Sequence, residues 1–211
     1  GENARQAMSL FGSTSPSYLI LQSLDLANAA LAVDYPRRLS QCAERIRRLK
    51  TELRISGWQI EESDPLKLTV AAARSGHEGA ELAEALRRSG VECEYADPDF
   101  LVLMFTPENP ESDYLRIAEA LGAVLPTAPL PRPELGLTPP ETACTVREAI
   151  LALQETVPAE KSLGRILAAP TVSCPPAVPV LVGGEVVRED ALALFRRYGI
   201  RAVSVLREEG Q

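Results

Sequence analysis

Trp58-Gln59-Ile60-Glu61-Glu62-Ser63-Asp64-Pro65-Leu66-Lys67-Leu68-Thr69-Val70-Ala71-Ala72-Ala73 is where the periodicity of this chain changes from helical to extended. Trp58 to Glu61 alternates apolar and polar residues, as a half-buried strand does. Asp64-Pro65 marks a turn, and Leu66 to Ala73 reads as a second strand. A helix follows over about Glu78 to Arg88, with Leu82, Ala83 and Leu86 on one face and Gly90 as its stop. Val91 to Tyr95 alternates as a third strand, Asp97-Pro98-Asp99 turns the chain, and Phe100 to Phe105 reads as a buried fourth. Glu111 to Leu121 completes the unit as a helix that Gly122 stops. The order ββαββα predicts a small sheet with helices on one face, an α+β domain.

On the N-terminal side, residues 4–11 suit a short helix, and Ser15-Pro16 reads as a helix start with Ser15 as N-cap. The helix it opens, Tyr18 to Val33, carries Leu19, Ile20, Leu21, Leu24, Leu26 and Leu31 on most of its sides. Such a helix needs burial from several directions, and this chain holds little to supply it. Pro36 to Ile55 repeats Leu39, Cys42, Ala43, Ile46, Leu49 and Leu53 as one stripe, with Gly57 as its stop. On the C-terminal side, Pro126 to Pro140 holds six prolines, a stiff linker or crossing segment. Beyond it the pattern predicts a helix over Val146 to Leu153, another turn of helix within Ser162 to Ala168, a helix over Glu189 to Tyr198 and a strand over Arg201 to Leu206. Four units follow: a helical segment 1–56, a small α+β domain 57–125, a linker 126–141 and a C-terminal α+β domain 142–211.

The 211 residues are 45% hydrophobic and 24% charged, an ordinary globular balance. The net charge of −7 and dispersed basic residues argue against nucleic acid. The one dense basic run, Arg45, Arg47, Arg48, Lys50 and Arg54, alternates with Ile46, Leu49 and Leu53 and reads as a solvated helix face. No apolar run is long enough for a membrane span, and no leader pattern opens the chain. Cys42, Cys93, Cys144 and Cys174 are scattered and His77 is the one histidine, so no metal site is expected. Reduced cysteines and a cytoplasmic location are the expectation.

Two further stretches carry the functional reading. Ser13-Thr14-Ser15-Pro16-Ser17-Tyr18 sets hydroxyls and free N–H groups at a helix start, which favours an anion or a plain cap. Cys174-Pro175-Pro176-Ala177-Val178-Pro179-Val180-Leu181-Val182-Gly183-Gly184-Glu185 is a Pro-rich turn ending in a carboxylate. In this order, about 160 residues apart, they resemble the C-terminal part of the pyridoxal-phosphate-dependent ornithine/lysine/arginine decarboxylases of fold-type I. Asp64-Pro65-Leu66-Lys67-Leu68-Thr69, Gly76-His77-Glu78-Gly79 and Val91-Glu92-Cys93-Glu94-Tyr95-Ala96-Asp97 resemble that family's small domain. The chain departs from the C-terminal pattern at Ala177 and Gly183, where the family has glycine and proline. The family's cofactor lysine follows a histidine in Ser-x-His-Lys; here His77 precedes Glu78, and Lys50, Lys67 and Lys161 lie in no such context.

The resemblance implies the back part of a carbon–carbon lyase of polyamine metabolism whose cofactor, pyridoxal phosphate, is held elsewhere in the parent enzyme. No cofactor is then expected on the isolated chain, and no catalytic residue within it. It implies that Ser13, Thr14 and Ser15 reach a cofactor phosphate, in trans across a dimer interface, with Tyr18 as pocket wall. Glu185 is placed near a basic amino acid substrate, where a carboxylate suits a cationic side chain; read from the residues alone, it caps backbone N–H groups in a turn. A homo-oligomer, dimer or larger, is expected from the apolar helix 18–33. Two other readings stay open: a non-catalytic module that pairs with a full-length decarboxylase, and part of another fold-type I enzyme.

Overall fold

The computed structural model describes residues 2–12, 15, 17–62, 64–133, 135–171 and 179–207. Three helices open the chain: α1 (Glu2–Phe11), α2 (Tyr18–Val33) and α3 (Tyr35–Ile55). Helix α2 spans Tyr18–Val33 as the sequence suggests, but its N-cap lies two residues beyond Ser15. Its N-cap is Ser17, in extended conformation, and Leu21 N–H donates to the Ser17 carbonyl at 3.0 Å. No residue of α2 is buried. Helix α3 is amphipathic as its stripe requires, with Cys42, Ile46, Leu49 and Leu53 buried.

Strands β1 (Ile60–Glu61), β2 (Lys67–Val70), β3 (Tyr95–Ala96) and β4 (Leu101–Met104) form one antiparallel sheet in the order β1-β2-β4-β3. Leu68 pairs with Leu103 and Val70 with Leu101, so these four side chains share the buried face. Helices α3, α4 (Gly79–Arg88) and α5 (Glu111–Val124) cover that face with Ile46, Leu49, Leu82, Leu86, Ile117 and Leu121. This is the expected α+β arrangement. At one end of the core Phe105 stacks on Tyr114, whose hydroxyl lies 3.4 Å from Cys42 Sγ.

Several boundaries differ from the sequence reading, each for a local reason. Trp58 and Val91 are not strand residues because each completes a helix stop. Trp58 N–H reaches the Leu53 carbonyl and Val91 N–H the Leu86 carbonyl, both at 3.0 Å, around Gly57 and Gly90. The first strand is therefore only Ile60–Glu61 and the third only Tyr95–Ala96. Helix α5 runs through Gly122 to Val124. A hydrophobic contact after the glycine often accompanies such a stop; here Ala123 is exposed, Val124 packs on the core, and Leu125, with φ 60°, ends the helix.

The second core lies in the C-terminal part. Strand β5 (Gln154–Pro158) pairs antiparallel with β6 (Ala202–Leu206) in five-residue register. The sequence reading did not include β5, because it is an exposed edge with little apolar content. Helix α6 spans Val146–Leu151, ending short of Leu153, behind a Thr145/Glu148 capping box. The helical turn expected within Ser162–Ala168 is absent. A single 3-10 turn occupies Ala159–Lys161, and the extended Leu167 bridges to Val205 instead. Helix α7 (Glu189–Arg197) packs Ala191, Leu192 and Phe195 against Leu167, Leu181, Val187, Val203 and Val205.

The Pro-rich segment crosses between these cores along a defined seat. Thr127 N–H donates to the Ser75 carbonyl and Leu130 N–H to the Ala73 carbonyl, each at 2.9 Å. His77 is stacked on buried Trp58, and its Nε2 lies 2.8 Å from the Leu125 carbonyl, at the residue with φ 60° that ends α5. Gly76 closes the seat at φ +86°; a Cβ there would stand 2.7 Å from the Ala128 carbonyl oxygen. Gly76→Ala is expected to lower stability by about 2–4 kcal/mol in urea unfolding. A loss under about 0.5 kcal/mol, within ordinary surface variation, would contradict this seating.

Candidate functional site

Two of the three stretches that resemble the family's small domain, Gly76–Gly79 and Val91–Asp97, meet at one seam. Asp97 folds its own turn: Oδ1 accepts from the N–H groups of Asp99 and Phe100 at 2.7 Å, and Oδ2 accepts from the Tyr95 hydroxyl at 2.8 Å. Gly79, the first residue of α4, packs onto that turn. The turn holds Asp99 toward the C-terminal core. Arg197 of α7 grips Asp99 through both Nε, at 3.1 Å, and Nη2. Arg132 of the Pro-rich segment stands 3.3 Å from Asp99 through Nε, while its Nη2 donates to the Pro98 carbonyl and pairs with Glu78, both at 2.8 Å. Glu78 beside it raises the Arg132 guanidinium's pKa, chiefly by hydrogen bonding. The side chains of Arg197, Asp99 and Arg132 are 14%, 21% and 25% exposed, so solvent screens this network less than a surface pair.

An open cleft of about 530 Å3 runs along the seam, lined by Glu78, Cys93, Glu94, Tyr95, Asp97, Arg197 and Tyr198 among others. Its carboxylates suit a cationic group. It holds no activated nucleophile, because burial first, then the charge of Glu92, pushes the Cys93 thiol up to about 11. None of these seam residues except Glu78, Cys93, Glu94, Tyr95 and Asp97 lies in a segment that the sequence singled out. Arg132 and Arg197 carried no signal, since their role arises only when distant segments meet.

The residues that the sequence did single out are placed apart. Ser13 and Thr14 lie outside the described residues, as do 172–178 with Cys174 and the turn at Ala177. Ser15 is exposed. Tyr18 is 84% exposed on α2, whose packing neighbour is α3. Glu185 is half-buried at the rim of the second core. Its Oε2 accepts from Val182 N–H at 2.7 Å, and its carbonyl accepts from Leu167 N–H at 2.8 Å. It closes the Val182–Glu185 turn, where Gly184 has φ +93° and lies against the Cys144 carbonyl. Neither Tyr18 nor Ser15 is among its hydrogen-bond partners.

The described residues do not fit a complete cofactor pocket. Lys67 sits on a strand paired with Met104, and Lys161 is exposed on a 3-10 turn. Lys50 lies on α3 among Arg47, Arg54 and Glu62. None faces an assembled phosphate cradle. Among the described residues no group of His, Cys, Asp and Glu could hold a metal ion, Cys42, Cys93 and Cys144 are free thiols, and no helix is long and apolar enough to cross a membrane.

No family model matches the chain. It is 28% identical over 215 residues to an arginine decarboxylase of Bacillus subtilis, covering 91% of this chain and 43% of that protein. An arginine decarboxylase of Bacillus anthracis is 25% identical, with 93% and 44% covered. The chain is similar to part of a decarboxylase. Two solved structures share its fold: the Escherichia coli constitutive lysine decarboxylase, at TM-score 0.71 and 18% identity, covers 96% of this chain and 45% of that one. The lysine decarboxylase of Francisella novicida gives 0.73 and 14%, with 96% and 44% covered. The chain thus spans less than half the length of the relatives it matches.

Asp99→Ala would leave two half-buried guanidiniums without their shared carboxylate. A stability loss of about 2–3 kcal/mol is expected in chemical unfolding, with the C-terminal core released first. A loss under about 0.5 kcal/mol would contradict the seam's role.

Proposed function

We propose that this chain is the C-terminal portion of a pyridoxal-phosphate-dependent decarboxylase acting on arginine, lysine or ornithine. In this reading it builds dimer contacts and pocket walls while the reactive groups lie elsewhere in the parent enzyme. The observation that carries the reading is the alignment: nearly the whole chain matches under half of proteins named arginine decarboxylase, with the fold of lysine decarboxylases. When bound to its parent enzyme, pyridoxal phosphate takes up the electrons left as carbon dioxide departs.

The division into residues 1–56, 57–125, 126–141 and 142–211 belongs to this reading, with the first unit as the end of the cofactor-binding domain. Helix α2 supplies the contact surface of a homo-oligomer in the cytoplasm. Ser13, Thr14 and Ser15, just ahead of α2, face a partner subunit's cofactor phosphate, and Tyr18 lines the pocket. Glu185 contributes through the turn it closes, with substrate contact as its further role. No nucleic acid and no membrane takes part.

A second reading has one observation in its favour. The wholly exposed apolar helix α2 would equally serve a non-catalytic module docking on a full-length decarboxylase. Both readings expect no turnover by the chain alone. With pyridoxal phosphate and carboxyl-labelled arginine, lysine or ornithine, the purified chain is expected to release no labelled carbon dioxide above buffer. Release from any of the three substrates would overturn the proposal.

A further inference from the structure

Strand β5 is the open edge of the second core. Strand β6 is bonded on both sides. Strand β5 flanks it on one; on the other, Ala168 N–H donates to the Ser204 carbonyl at 2.8 Å and Leu206 N–H to the Ile166 carbonyl at 2.9 Å. Among the described residues β5 pairs only with β6. Antiparallel neighbours alternate between hydrogen-bonded and non-bonded pairs. Just outside the strand, the Leu153 carbonyl accepts from Arg207 N–H and Ala159 N–H donates to the Arg201 carbonyl, both at 2.9 Å. Glu155 and Val157 therefore also aim their backbone groups at β6, and Gln154, Thr156 and Pro158 turn theirs outward. The outward row holds two N–H groups, of Gln154 and Thr156, and three carbonyls, because proline has no N–H.

Such a row templates a further strand unless lysine, proline or a bulge blunts it. Gln154–Pro158 holds no lysine, its register with β6 has no bulge, and Pro158 blunts only the last position. The one charge on the strand, Glu155, is answered by Arg165 at 2.7 Å. Leu151 and Leu153, immediately ahead of the strand, are 73% and 76% exposed. The row is also complementary to itself. In an antiparallel pair of two β5 strands centred on Thr156, the two Thr156 N–H groups donate to each other's carbonyls. Each Gln154 N–H meets a Pro158 carbonyl, so every outward donor is satisfied, and the missing proline N–H falls opposite a Gln154 carbonyl. Centring the pair on Glu155 would satisfy the donors equally but set two carboxylates directly opposite each other, which is unfavourable. Centring it on Val157 would leave the Gln154 donors without a strand partner.

We propose that β5 is a docking edge for β5 of a second copy of this chain, which joins two β5–β6 sheets into one across a two-fold axis through Thr156. In that register Thr156 faces Thr156 and Glu155 faces Val157, with no like charges opposed. The contact is separate from α2 and does not rest on the decarboxylase reading.

Mild oxidation of the purified Thr156→Cys chain tests the register. The Cα atoms of a hydrogen-bonded pair lie about 5.5 Å apart, within disulfide reach, whereas the two Gln154 residues are offset along the strands by about 14 Å. Covalent dimer is expected in several-fold excess for Thr156→Cys over both Gln154→Cys and the unsubstituted chain, whose own cysteines set the background. Equal dimer in Thr156→Cys and Gln154→Cys, or none above background, would overturn the proposal. Should Thr156→Cys fail to fold, residue-resolved amide exchange of the unsubstituted chain decides. The Gln154 and Thr156 N–H groups are expected to exchange fast in dilute solution and several-fold more slowly as the concentration rises, while those of Glu155 and Val157 stay protected throughout. Exchange at Gln154 and Thr156 that does not depend on concentration would overturn self-pairing, even where α2 becomes protected, and would leave the edge to a strand of another protein.

Discussion

The seat between the 73–79 loop and the Pro-rich segment leaves no volume for side chains, and much of the molecule follows from it. Gly76 and Gly79 lie against backbone atoms, so the crossing chain and the Asp97 turn close on the loop from either side. His77, wedged between Trp58 and the Leu125 carbonyl, sets the angle at which the chain leaves α5. From there the Pro-rich segment delivers Arg132 to Glu78 and Asp99, and the same aspartate receives Arg197 from the C-terminal core. Two separately packed cores are thereby registered through one carboxylate. The Gly76-His77-Glu78-Gly79 stretch, which carries part of the family resemblance, thus serves the architecture of this seat.

A second constraint points outward. Helix α2 presents Leu19, Ile20, Leu24 and Leu26 at 55% exposure or more, and no residue of it is buried. Apolar surface on this scale on a single helix is characteristic of an interaction surface. The same division holds for the chemistry: the described lysines are structural or superficial, Glu185 holds a turn, and the Cys93 thiol stays protonated at neutral pH. Under the proposed reading, the bare helix is a surface that another part of the assembly covers.

Much of the fold was legible in the sequence. Alternation around Leu68-Thr69-Val70 and Leu101-Val102-Leu103 gave the central strands, and the α3 stripe gave its buried face. Glycine stops were legible where an apolar residue follows, at Gly57-Trp58 and Gly90-Val91, and misleading at Gly122-Ala123. Strand β5 was hidden, because Gln154-Glu155-Thr156 is exposed and draws its order from pairing with β6 rather than from burial. For Glu185 the sequence offered a turn cap or a substrate ligand, and its bond to Val182 N–H is that of the cap. The seam was illegible, since Asp99, Arg132 and Arg197 are ordinary polar residues until the Pro-rich segment brings them together.

The measurement that bears most directly on a chain completed by another body is amide hydrogen exchange along α2 as a function of concentration. At low concentration Tyr18–Val33 is expected to exchange fast while α3, α4 and α5 stay protected. Protection of α2 is expected to rise as the concentration increases, because the helix becomes buried between copies. An α2 that exchanges fast at every concentration, with the chain remaining a monomer, would contradict an interface there.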